Sequence, residues 1–115
     1  MQQSDTIRIK HMIEAAEEAI SFAEGKERKD LDGERMLVLS VIKEIEMIGE
    51  AAAKISVEVR GKKSQIPWND IVGMRNHLVH GYFDVDLDLL WNTIEHNLPV
   101  LVMNLKKRNI NRYAK

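Results

Sequence analysis

From Glu34 to about Val59, the apolar residues Val38, Val41, Ile45, Ile48, Ala52 and Ile55 recur at alternating intervals of three and four. A strand alternates its faces every two residues, so this period fits only a helix, and it lays one continuous apolar stripe along it. Such a stripe must be buried, and the rest of the chain has to supply the partners. Gly49 interrupts the pattern at a cost of about 1 kcal/mol relative to alanine. The expected reason is a close approach of another helix or backbone.

The remaining segments read as further helices. The first is predicted to start after Ser4 or Asp5 as N-cap and to run to Glu24, with Gly25 suited to the left-handed position beyond its end. Its apolar positions Ile9, Met12, Ile13, Ala16, Ile20 and Ala23 keep close to helical spacing. Lys26 to Gly33 is a connection or a short helical turn. After a loop from Arg60 to Ile66, Pro67 suits the first residue of a third helix, because its missing N–H would have no partner there. That helix is expected to end near His80, with Gly81 as its stop. The last helix, capped by Asp84 or Asp86, carries Leu87, Leu90, Trp91, Ile94, Leu98, Leu101 and Leu105 on one face. Pro99 within it implies a kink or two abutting helices. The reading is an all-α, up-and-down bundle of four to five helices, a single domain over residues 1–115.

Composition removes several classes of function. No apolar run approaches the ~20 residues of a membrane span, and the N-terminus has no basic segment leading into an apolar one, so neither a membrane nor a secretory route is expected. The chain has no cysteine, which excludes disulfides and thiolate metal sites and accords with a cytoplasmic protein. A net charge of -1 means that contact with nucleic acid must come from a local patch. Arg60-Gly61-Lys62-Lys63 is one candidate, and Lys106 to Lys115, with five basic residues and no acidic one, is another. Both are also compatible with a solvated loop and a basic helix end.

Polar chemistry concentrates in Arg75-Asn76-His77-Leu78-Val79-His80-Gly81-Tyr82. On a continuous helix Asn76 and His80 would lie ~40° apart, whereas Arg75 would be ~140° round from His80 and ~7.5 Å along the axis. Either the long arginine reaches round, or two copies meet across a two-fold axis and one completes the site of the other. Metal-free RNA cleavage needs a group titrating near neutrality to move protons and a fixed cation to hold the phosphorane charge; His80 and Arg75 are of those types. Asn76 could orient the phosphate or the imidazole. Taken alone, an Arg/His pair on a helix is more often surface decoration or a satisfied buried histidine.

Ile48-Gly49-Glu50-Ala51-Ala52, Ile66-Pro67-Trp68, Gly73-Met74-Arg75-Asn76, His80-Gly81-Tyr82-Phe83, Val85-Asp86, Trp91 and Leu98-Pro99 together resemble the HepT-like branch of the HEPN superfamily, with its Arg-x4-His-x-Tyr motif. The resemblance covers roughly residues 34 to 105. It implies a helical homodimer with the motifs of both subunits lining an interface cleft, and a metal-independent endoribonuclease with Arg75, Asn76 and His80 as catalytic residues and no cofactor. It also implies a toxin-antitoxin system. The partner would be an MntA-type nucleotidyltransferase antitoxin that binds the toxin and transfers AMP from ATP to Tyr82, placing charge and bulk where an RNA phosphate should bind. A second class of function is a non-catalytic helical dimer that binds nucleotide or such a partner.

Other constellations point elsewhere. His77 and His80 are three apart, but no acidic ligand follows at suitable spacing, so no metal site is expected. His11-x-x-Glu14 is a reversed and solitary version of a di-iron helix motif. Trp68 and Trp91 suit core anchoring. Glu44, Glu46 and Glu50 are expected to face solvent, with Glu50 near the site by resemblance.

Overall fold

The structure, a computed structural model, describes residues 2–82 and 84–107. The stripe that dominates the sequence becomes α3 (Arg35–Ala53), and its Val41, Ile45, Ile48 and Ala52 are wholly buried. Each of the valine and isoleucine side chains contributes roughly 1.5–3 kcal/mol on burial. Facing it is α1 (Gln3–Phe22), which buries Ile9, Met12, Ala15, Ala16 and Ala19. The alanines let the two helices lie close. They run antiparallel, since Arg8 near the start of α1 donates from Nη1 to the carbonyl of Lys54 just past the end of α3, at 3.0 Å.

The start of α1 differs from the sequence expectation. Asp5 lies inside the first turn, is buried, and accepts hydrogen bonds from the Ser56 backbone N–H (3.0 Å) and hydroxyl (2.8 Å). These bonds, the backbone one foremost, hold its carboxyl below the usual value of 3.8. Ser56 in turn caps α4 (Val57–Lys62) by accepting from the N–H of Val59. That is why α3 stops at Ala53 rather than running to Val59: Ser56 is extended, and a new helix starts there. Past Phe22, Gly25 takes the left-handed conformation with φ +77°. A short α2 (Asp30–Gly33) leads into α3.

The helix expected from Pro67 to His80 is broken twice. It forms α5 (Trp68–Val72) and α6 (Met74–Leu78), hinged at Gly73, with Pro67 one residue outside as the cap. Beyond Leu78 the chain turns extended into a two-strand ribbon, β1 (Val79–His80) antiparallel to β2 (Asp84–Val85), with Val79 opposite Val85 and His80 opposite Asp84. Gly81, at φ +59°, makes the turn possible. Asp86 then caps α7 (Leu87–Asn92), accepting from the N–H of Leu89 at 3.0 Å. The interruption expected at Pro99 takes the form of a π-helical turn, Thr93–Asn97, before α8 (Leu98–Lys106). The N–H of Leu98 donates to the carbonyl of Thr93, five residues back, in a wider turn that absorbs the bond Pro99 cannot make.

Ile20 and Ala23 at the end of α1 line a depression with Ile94 of the π-helical turn and Pro99 at the start of α8, whereas Lys106 at the end of α8 pairs with Glu17, further back on α1, at 2.7 Å, so α8 also runs antiparallel to α1. The result is an all-α bundle in which α1 lies between α3 and α8 and the short α5 and α6 pack on α3. Among the described residues, no helix is long and apolar enough to cross a membrane.

Two sequence expectations about charge are corrected. Glu44 is buried at 5% exposure on α3, where α3 packs against α1. Burial foremost, then the hydrogen bond and charge of Glu18, push its carboxyl up to about 7. The Arg60 to Lys63 segment is not an open basic patch. Arg60 donates to the carbonyls of Ala52 (2.8 Å) and Ile55 (3.2 Å), closing the end of α3, and its guanidinium lies over the Trp68 ring. Lys63 is buried and donates to the carbonyl of Lys107. Of the second basic segment, residues 108–115 lie outside the described residues.

Candidate active site

Gly49 fixes the spacing on which the site depends. A β-carbon added there would come within 3.1 Å of the Val72 carbonyl oxygen and 3.4 Å of that of Ile71. The backbone of α5 therefore rests directly on α3, as the isolated glycine in the stripe suggested. Since only Gly73 separates α5 from α6, this contact also sets how far Arg75 stands from α3.

At that spacing, Glu46, one turn before Gly49 on α3, meets the second residue of α6. The Nε of Arg75 donates to Glu46 Oε2 at 3.2 Å. The other carboxylate oxygen lies 3.7 Å from Lys43 Nζ. Arg75 and Glu46 are about one-third exposed, 36% and 31%, so this is a half-buried ion pair open to solvent on one side. This corrects the expectation that Glu46 faces solvent, and its role escapes a reading of the sequence by residue type. The signal is present all the same: Glu46 precedes Gly49 by three residues, which places it on the helix face that the glycine marks for close approach. A depression of about 260 Å³ flanks the pair, lined by Glu46, Gly49, Glu50, Val72 and Arg75 among others. Glu50 is exposed and does lie beside the motif arginine.

Asn76 is exposed on α6. His80 is not on that helix, so the helical separations reckoned for Asn76, Arg75 and His80 do not apply to it. It stands exposed on β1, directly across the ribbon from Asp84. Opposite residues on one face of such a ribbon have β-carbons about 4.5–5.5 Å apart. Tyr82 sits in the turn, fully exposed. Among the described residues, no hydrogen bond joins Arg75, Asn76 and His80 to one another. One copy of the chain thus presents a cation pinned against α3 and an imidazole on the following ribbon, both reachable from solvent.

The remaining candidates separate from this site. Trp68 is buried, and its Nε1 donates to the Lys63 carbonyl at 3.2 Å, an anchoring role. Among the described residues, no three His, Asp or Glu side chains converge as metal ligands would. His77 and His96 line a separate cavity of about 520 Å³ between α6 and α8, with Ile71, Met74, Leu78 and Leu101 in its wall.

Known proteins with similar sequences point in one direction. A family model described as "Ribonuclease HepT-like" matches residues 12–107. The "Putative RNase MJ1380" of Methanocaldococcus jannaschii is 34% identical over 88 residues, covering 76% of this chain and 81% of that protein. The "Putative RNase TTE0752" of Caldanaerobacter subterraneus subsp. tengcongensis is 32% identical over 99 residues, covering 86% and 88%. The "Probable ribonuclease HepT" of Thermococcus cleftensis is 32% identical over 102 residues, covering 85% and 93%. No solved structure matches the chain significantly.

Proposed function

This chain belongs to the HepT-like ribonuclease family, and on that premise we propose that it cuts RNA internally, without a metal ion, using Arg75, Asn76 and His80. The observation that carries the reading is that the cation and the imidazole are both kept at the surface, Arg75 one-third exposed and His80 exposed. A buried Arg/His pair serving stability would look different. His80 takes the proton from a ribose 2′-hydroxyl, whose oxygen attacks the adjacent phosphorus. The P–O5′ bond breaks, leaving a 2′,3′-cyclic phosphate and a 5′-hydroxyl that receives a proton. Arg75 holds the extra negative charge of the phosphorane through its planar fork of donors, and Asn76 helps to orient the phosphate. A homodimer, with both motifs lining one cleft, provides a second imidazole for the opposite proton transfer.

In this reading the chain is the toxin of a toxin-antitoxin pair acting on RNA in the cytoplasm. Its antitoxin is a nucleotidyltransferase of the MntA type. The Tyr82 hydroxyl, fully exposed in its turn, attacks the α-phosphate of ATP, pyrophosphate leaves, and the added AMP occupies the approach to Arg75 and His80. That exposure equally favours the second reading, a non-catalytic dimer whose tyrosine is modified by its partner.

The experiment is RNA cleavage in chelator by the wild type and by His80→Ala, after intact mass has established that Tyr82 is unmodified. Cleavage by the wild type alone is the expected result. Cleavage that needs added metal, or that survives the substitution, contradicts the proposal.

A further inference from the structure

Arg75 does not reach toward solvent unaided. Its Nε donates to Glu46 Oε2 at 3.2 Å, while Glu46 Oε1 faces Lys43 at 3.7 Å. Among the described residues, Nε is the Arg75 atom engaged in this way, and its two terminal amino groups carry no side-chain hydrogen bond. A guanidinium gripped at Nε loses rotation about its last bonds while its outer edge stays available for two parallel bonds to a phosphate. Lys43, Arg75, Glu46 and the neighbouring Glu50 sum to zero, so what suits the place to a phosphodiester is the open edge of the guanidinium and not a net positive charge.

The carrier of Glu46 is rigid. Its flanking residues Ile45 and Ile48 are wholly buried, and Gly49 seats α3 against the carbonyls of Val72 and Ile71. The grip on Arg75 therefore comes from the best-packed helix of the bundle. We propose that Glu46 is the positioning residue of the ribonuclease site, holding Arg75 by Nε so that its terminal amino groups meet the scissile phosphate. The inference rests on the ribonuclease reading of Arg75 and extends it to a residue on α3. Glu46 touches neither substrate nor the reacting atoms; it acts through Arg75.

Two variants and two readouts test it. Glu46→Gln keeps an acceptor for Nε, whereas Glu46→Ala removes it. In RNA cleavage, Glu46→Ala is expected to lower kcat about 10- to 100-fold, the scale on which misplacement of a catalytic group acts, with KM changed much less. Glu46→Gln should recover most of that loss. A rise in kcat/KM for either variant would mean that Glu46 merely competes with the phosphate, and would overturn the inference. The second readout does not depend on activity: the Nε–H resonance of Arg75 in 15N NMR should be resolved in the wild type and Glu46→Gln and broadened by exchange in Glu46→Ala. An unchanged resonance in Glu46→Ala overturns the positioning role by itself. A wild type with the resolved resonance but no RNA cleavage overturns the ribonuclease reading instead.

Discussion

Replacing Glu44 by Gln should stabilise the protein, and only at high pH. Glu44 is 5% exposed, and its carboxyl titrates at about 7 instead of 4.5. Between those pH values the folded state holds a proton that the unfolded chain has released, so stability falls as pH rises through this window, and the loss is complete above about 7. At about 1.36 kcal/mol per pH unit, the interval from 4.5 to about 7 sets an upper bound near 3 kcal/mol. Relaxation and water entry around a buried carboxylate reduce it, leaving roughly 1–3 kcal/mol. Glutamine has the shape of the protonated acid and can donate to Glu18 without ever charging. Urea denaturation should therefore show Glu44→Gln within about 0.5 kcal/mol of wild type at pH 4, where the folded state and most of the unfolded chain hold the proton, and about 1–3 kcal/mol more stable at pH 8.5. An equal difference at the two pH values would refute the argument, because it would mean that the carboxyl does not change charge between them.

The remaining predictions concern the helix junctions and Arg75. Asp5→Asn should lower the melting temperature at neutral pH, since the amide lacks the negative charge that the two Ser56 donors stabilise; because the Asp5 carboxyl is depressed below 3.8, the difference should shrink as pH falls below that value, as melting curves at pH 7 and pH 3 would show. Gly49→Ala gains about 1 kcal/mol of helix propensity but forces the Val72 carbonyl away from a 3.1 Å contact; a net destabilisation of about 0.5–2 kcal/mol is expected in urea titrations, together with loss of RNA cleavage as α6 moves off α3. Arg75→Lys retains charge but not the planar fork, and should lower kcat/KM for RNA by about 10²-fold or more in steady-state assays.

Much of the bundle is legible in the sequence because its period is local. The α3 stripe and the close approach at Gly49 follow from residue spacing, and residue type narrows the cap of α7 to Asp84 or Asp86, of which Asp86 serves. Helix ends are less legible. Asp5 reads as an N-cap on residue type, but its partner is Ser56, 51 residues away, and no local rule carries that pairing. The same bond explains why α3 ends early. The break after Leu78 is hidden because Leu78-Val79 is a two-residue apolar step inside a polar stretch, too short to show a helical or a strand period; only the pairing of Val79 with Val85 decides. Of the candidate site, the sequence supplies the chemical types and the family resemblance, while Glu46 comes from tertiary contact. Glu44 is misjudged from sequence because a charged residue on a helix is assigned to solvent unless its partner is known, and that partner, Glu18, lies on another helix.

The most direct test of the account is the chemistry of the cut ends. RNA cleaved by the wild type in chelator should carry 2′,3′-cyclic phosphate and 5′-hydroxyl termini, and a substrate with a single 2′-deoxy position should resist cleavage at that position alone. Termini bearing 5′-phosphate and 3′-hydroxyl, or cleavage at the deoxy position, would show that the 2′-hydroxyl is not the nucleophile and would contradict the roles given to His80 and Arg75.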